Sequence, residues 1–137
     1  MNADVPPDIA LAQVSAAPTR FQGQWCISWR VTNNAAEKLL ISSARLPHGQ
    51  FKSEEINFQP AVELHAGEKF LFEANVHCDE PVGLVTENAF VILYVEWREQ
   101  AWRIYVRIRV TIDSNGEPQT ATELITTQKV GFSGITQ

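Results

Sequence analysis

A chain of 137 residues with 45% apolar and 20% charged side chains has the size and make-up of one globular domain able to bury a core. Its formal charge of −5 argues against a general binder of nucleic acid or of anionic membranes, because phosphate affinity rests on a positive field. Two cysteines, Cys26 and Cys78, are too few for a disulfide framework.

The opening "MNADVPPDIALAQVSAAP" has neither a basic stretch nor a continuous apolar one, so it does not read as a secretory signal. No apolar run approaches the roughly 18 residues that cross a bilayer. The expected location is the cytoplasm, with free thiols. "PPDIALAQV" predicts a first strand in which the alternation of Ile9 and Leu11 shifts by Val14, as a bulge would cause. "QWCISWRVTN" places Trp25, Ile27, Trp29 and Val31 on one face and Cys26, Ser28, Arg30 and Thr32 on the other. "EKLLISSARL" is a shorter apolar run. In "INFQPAVELHAGEKFLFEANVHC", Ile56, Phe58, Val62 and Leu64 alternate, "HAGE" turns the chain, and Phe70, Phe72, Ala74 and Val76 alternate again.

The strongest pattern is "NAFVILYVEWREQAWRIYVRIRVTI", Asn88 to Ile112, which reads as a hairpin. With Arg98 to Ala101 as a four-residue loop, Trp97 faces Trp102. Val91, Leu93, Val95 and Trp97 then share an inner face with Trp102, Ile104, Val106 and Ile108. The outer face carries Phe90, Ile92, Tyr94 and Glu96 opposite Arg109, Arg107, Tyr105 and Arg103. The arginine stems can lie across the aromatic rings there. Tyr and Arg are enriched where proteins meet, so Tyr94, Glu96, Arg103, Tyr105, Arg107 and Arg109 form the candidate partner surface.

After Ile112 the composition turns polar and turn-rich. The segment 113–137 reads as an irregular C-terminal extension with one late strand. A capping-box spacing from Thr120 to Glu123 precedes "LITTQ", whose β-branched residues favour a strand. Leu124, Ile125, Val130 and Phe132 are apolar anchors by which this tail could reach back over the arginine face. Helical spacing is absent over any useful window. About seven strands separated by turn residues predict an all-β, antiparallel sandwich in a single domain, 1–137, with its core at about 8–112.

The succession "WCISWRVTN … ELHAGEKFLFEANV … AFVILYVEWREQAWRIYVRIRV" resembles the bacterial immunoglobulin-like sandwich modules. In many of these a leucine, a Gly-Glu turn and an alternating strand recur, as in Leu64, Gly67, Glu68 and Phe70 here. The resemblance implies a module that spaces, docks or binds and catalyses nothing. The antibody-type disulfide is not expected, because Cys26 has the opposite parity to its core neighbours.

Little in the chain suggests chemistry. "VHCDEP" gathers His77 and Cys78 with two carboxylates, but a structural zinc site usually needs a second cluster, and His48 and His65 stand alone. Ser42, Ser43 and the "GFSG" of Gly131–Gly134 lack the setting of an activated nucleophile. No catalytic residue, cofactor or metal is expected. The expected function is a non-catalytic interaction or assembly module with a protein partner, a homodimer through the hairpin's outer face being favoured. The alternatives are a small carbohydrate-binding module stacking sugars on Tyr94 and Tyr105, or a metal-binding protein using His77 and Cys78.

Overall fold

The computed structural model describes residues 5–130. Within them the chain forms eight strands: β1 (Ile9–Pro18), β2 (Gln24–Asn33), β3 (Leu39–His48), β4 (Phe51–Leu64), β5 (Lys69–His77), β6 (Val85–Trp97), β7 (Gln100–Ile112) and β8 (Pro118–Lys129). All pairings are antiparallel, in the order β1-β2-β5-β4-β3-β6-β7-β8, and the sheet curls into a nearly closed barrel. The all-β expectation holds. The irregular extension does not: Pro118–Lys129 is a regular strand along β7, which makes eight strands where about seven were expected. Phe132 and Gly131–Gly134 lie outside the described residues.

Two seams interrupt the barrel. β4 and β5 share a single bridge, Lys52 opposite His77. Across the other seam β1 and β8 are joined through side chains. Gln13 donates from Nε2 to the Pro118 carbonyl (3.1 Å) and accepts at Oε1 from the Thr120 N–H (2.9 Å). The Thr122 hydroxyl donates to the Leu11 carbonyl (3.0 Å). These bonds satisfy edge groups that would otherwise invite pairing with another chain. The bulge at Val14 is where the sequence shifts parity: Gln13 faces Trp29, and Ser15 faces Ser28. Ahead of that slip Gln13 keeps the parity of Ile9 and Leu11, which lie in the core, and its amide reaches β8.

Period-two alternation fills the interior. Ile27, Trp29 and Val31 of β2, Ile41 and Leu46 of β3, Val91 and Leu93 of β6, and Ile104, Val106 and Ile108 of β7 are all buried. Burying each large side chain stabilises the fold by about 1.5–3 kcal/mol. At the end of the barrel where β2 finishes, Asn33 is fully buried and ties two loops together. Its amide donates to the carbonyls of Glu37 (2.9 Å) and Leu64 (3.0 Å) and accepts from the Ala35 N–H (2.9 Å). At the other end, the Asp113 carboxylate accepts the N–H groups of Glu117 and Asn115 (both 2.9 Å). These bonds, that from Glu117 foremost, hold its carboxyl below the ordinary carboxylate value.

The hairpin turn corrects one expectation. The loop is two residues long, Arg98 and Glu99, and Trp97 faces Gln100 while Trp102 faces Val95. Both turn residues have positive φ (52° and 63°), the geometry of a type I′ turn, which strongly favours Asn-Gly. The Arg98 guanidinium lies 5.4 Å from the Trp97 ring and donates to the Glu37 carboxylate from Nε (3.2 Å) and Nη2 (3.0 Å). Nothing comparable among the described residues holds Glu99, so a side chain in the left-handed region remains an uncompensated cost of roughly 1 kcal/mol. Glu99→Gly should therefore stabilise the domain by about 1 kcal/mol. Urea denaturation checks this, and an unchanged or lower midpoint would show the turn to be unstrained.

Candidate functional site: the outer face of β6 and β7

The two-residue turn moves the register by two positions from the four-residue expectation. A shift of two leaves every side chain on its expected face but changes every partner. Tyr94 now lies opposite Arg103, Ile92 opposite Tyr105, Phe90 opposite Arg107 and Glu96 opposite Ala101. The cross-strand pairing of Glu96 with Arg103 is thereby replaced. Glu96 stands exposed and makes no ion pair within the described residues.

All six anticipated residues share the outer face. Tyr94, Arg103, Tyr105 and Arg107 are half-buried; Glu96 and Arg109 are exposed. The Arg103 guanidinium sits 5.5 Å from the Tyr94 ring centroid, and its hydrogen bond to Tyr105 further favours the charged form. Phe90 and Tyr105 meet edge to face at 6.4 Å, and the Tyr105 hydroxyl donates to Gln128 Oε1 of β8 (3.0 Å). Arg109 is fully engaged, with Glu87 at 3.2 Å and Glu123 at 2.8 Å. Arg107 has no carboxylate partner among the described residues, and the Nε atoms of Arg103 and Arg107 are buried without a hydrogen bond. Arg103 and Arg107 are thus more buried than their outward parity implied, and Ile92 on the same face is only 6% exposed.

The structure adds residues that the sequence did not single out. Arg45 of β3, exposed and opposite Ile92, joins the same face without an ion pair among the described residues. A register shift between Ile41 and Ser43 hides its parity. At the turn end, an open groove of roughly 450 Å³ is lined by Leu40, Ser42, Ala61, Glu96, Glu99 and Ala101, among others. Its two carboxylates have no cation within ion-pair distance among the described residues. The face therefore runs from a band of unpaired arginines to an acidic groove. Among the described residues the tail does not cover it, since β8 lies beside β7 in the sheet and does not fold over it.

The alternatives are placed differently. His77 is exposed at the end of β5 while Cys78 is buried, so the two side chains point apart. No group of three or more His, Cys, Asp or Glu side chains is placed to hold a metal among the described residues. Trp29, Trp97 and Trp102 are buried, and Trp25 is tied by Nε1 to the Cys78 carbonyl (3.1 Å), while both tyrosines are half-buried. Both cysteines are free. Burial, then the neighbouring Glu80 and Asp79, push the Cys78 thiol up to about 11; burial and Glu73 raise that of Cys26. In native protein at mildly alkaline pH, Cys26 should react with a thiol reagent and Cys78 should not. Both should react in urea without reductant. A mass two units lower, with neither thiol titrating, would contradict this by showing a disulfide.

No helix among the described residues is long and apolar enough to cross a membrane. No protein-family model matches the chain, and no curated protein matches it.

Proposed function

We infer that this chain is a non-catalytic interaction module that docks a protein partner on the outer face of β6 and β7. One observation carries the reading: in an acidic chain, Arg45, Arg103 and Arg107 gather on one sheet face, interleaved with Phe90, Tyr94 and Tyr105, and no carboxylate among the described residues pairs with them. Arginine and tyrosine supply large contact area together with directional donors, and guanidinium groups without a carboxylate among the described residues gain when one arrives.

The strand order supports an immunoglobulin-like sandwich as the scaffold. The weak β4–β5 seam divides the sheet into β1-β2-β5 and β4-β3-β6-β7-β8. In that reading β1, β2, β5 and β3, β6, β7 occupy the places of strands A, B, E and C, F, G. β8 is then an added strand that widens the docking face.

Affinity purification from the source cells tests the docking face with three baits: wild type, Arg107→Glu and Leu71→Asp. Leu71 is 60% exposed on β5, on the other part of the sheet. A partner retained by wild type and Leu71→Asp but lost with Arg107→Glu is the expected result. A partner lost only with Leu71→Asp would place docking elsewhere and overturn the reading.

A further inference from the structure

We propose that the partner on this face is a second copy of the same chain, packed face to face about a two-fold axis that lies across the strands near Tyr94 and Tyr105. The proposal rests on the docking-face reading above and adds the partner's identity.

The charge pattern is self-complementary in one arrangement. Arg107 lies opposite Phe90, and Glu96 lies six residues farther along β6. At about 3.3 Å per residue the two are roughly 20 Å apart along the strands. Tyr94 and Tyr105 lie midway between them. A two-fold axis at that level, in the plane of contact, brings Arg107 of each copy to Glu96 of the partner subunit. Two such salt bridges form at once, because an isologous contact repeats every interaction. The groove beside Glu96 gives the incoming guanidinium a second carboxylate, Glu99, and an apolar wall of Leu40, Ala61 and Ala101 for its stem.

The middle of the contact is equally suited. Tyr94 and Tyr105 meet their counterparts at the axis, and the Arg103 guanidinium already lies 5.5 Å from the Tyr94 ring. The area is sufficient. Four strands, β3, β6, β7 and β8, of 10 to 13 residues offer on the order of 800 Å². That is about what each partner contributes to a standard interface.

The turn supplies an independent observation. Glu99 holds a positive φ of 63° without any hydrogen bond or ion pair of its own among the described residues, where glycine would sit unstrained. A role in receiving a cation gives that carboxylate a use that folding does not. Glu99→Gly should therefore raise the thermal midpoint of the monomer while weakening the dimer.

Sedimentation velocity over a wide concentration range tests the proposal. Wild type should reach twice the 15.4 kDa chain mass and should dissociate more readily in high salt. Arg107→Glu and Glu96→Arg should each weaken the dimer at least tenfold, and the double variant Glu96→Arg/Arg107→Glu should restore it. Circular dichroism checks that each variant is folded. A wild type that stays monomeric at high concentration and low salt overturns the second copy as partner. The docking face itself then stands if Arg107→Glu still loses a partner in the affinity purification, and falls if it does not. A dimer that survives both single substitutions also overturns the proposal, by placing self-association elsewhere.

Discussion

Trp29→Ala will remove about 3–5 kcal/mol of stability, the range for emptying a buried aromatic site. Trp29 is 1% exposed and holds both sides of the barrel's weak seam. On β2 it is flanked by Gln13 of β1 and Phe72 of β5, and its ring meets Phe51 of β4 edge to face at 6.3 Å. β4 and β5 share only one bridge, so this contact does part of the work that a hydrogen-bond ladder does elsewhere. A loss of that size is a large share of the roughly 5–15 kcal/mol that stabilises a domain. The urea midpoint should fall steeply. A midpoint close to wild type would show that the seam closes without Trp29. Trp29→Phe should cost much less, because it keeps an aromatic ring and removes an Nε1 that has no hydrogen-bond partner.

The second large effect is expected at Asn33. Asn33→Ala leaves the carbonyls of Glu37 and Leu64 and the N–H of Ala35 without their partner, a loss of about 3 kcal/mol. Asn33→Asp has nearly the same shape but sets a carboxylate against two carbonyls. Burial and that repulsion raise the folded-state pKa of the introduced carboxyl above its unfolded value near 4. The sign follows from linkage. At a pH below the unfolded value the group is protonated in both states and the extra penalty is absent. The penalty grows as pH rises through the unfolded value and levels off once pH passes the folded one. Asn33→Asp should therefore be less stable at neutral pH than at pH 4, relative to wild type at each pH. Equal destabilisation at both would show that the site admits water.

The interior of this protein was legible in the sequence and its closure was not. Alternation in "QWCISWRVTN" and in the Asn88–Ile112 hairpin places Ile27, Trp29, Leu93 and Ile104 inward whatever the register, because parity survives a slip of two. The shift at Val14 was equally visible, since a bulge is a break in period. Turn length was not visible, because Arg98-Glu99 lacks the Asn-Gly chemistry that announces a two-residue turn. The β-branched "LITTQ" suggested one late strand, but the full length of β8, Pro118–Lys129, was hidden for a related reason. Its residues Gln119 to Lys129 are half-exposed or exposed, so it shows almost no apolar period, and it is held by the β7 ladder. The closing bonds from Gln13 and Thr122 span more than a hundred residues and leave no local trace. At the candidate site, the tyrosines and arginines followed from parity. The acidic groove did not, because it depends on the true register and on where Glu99 projects.

The most direct test of a docking face on β6 and β7 that receives a second copy is dilution followed residue by residue by nuclear magnetic resonance. Backbone and side-chain signals of Tyr94, Glu96, Arg103, Tyr105 and Arg107 should shift with protein concentration. Those of Phe21, Leu71 and Val82, exposed elsewhere on the molecule, should stay fixed. Concentration-dependent shifts confined to Phe21, Leu71 or Val82, or none at any concentration, would contradict it.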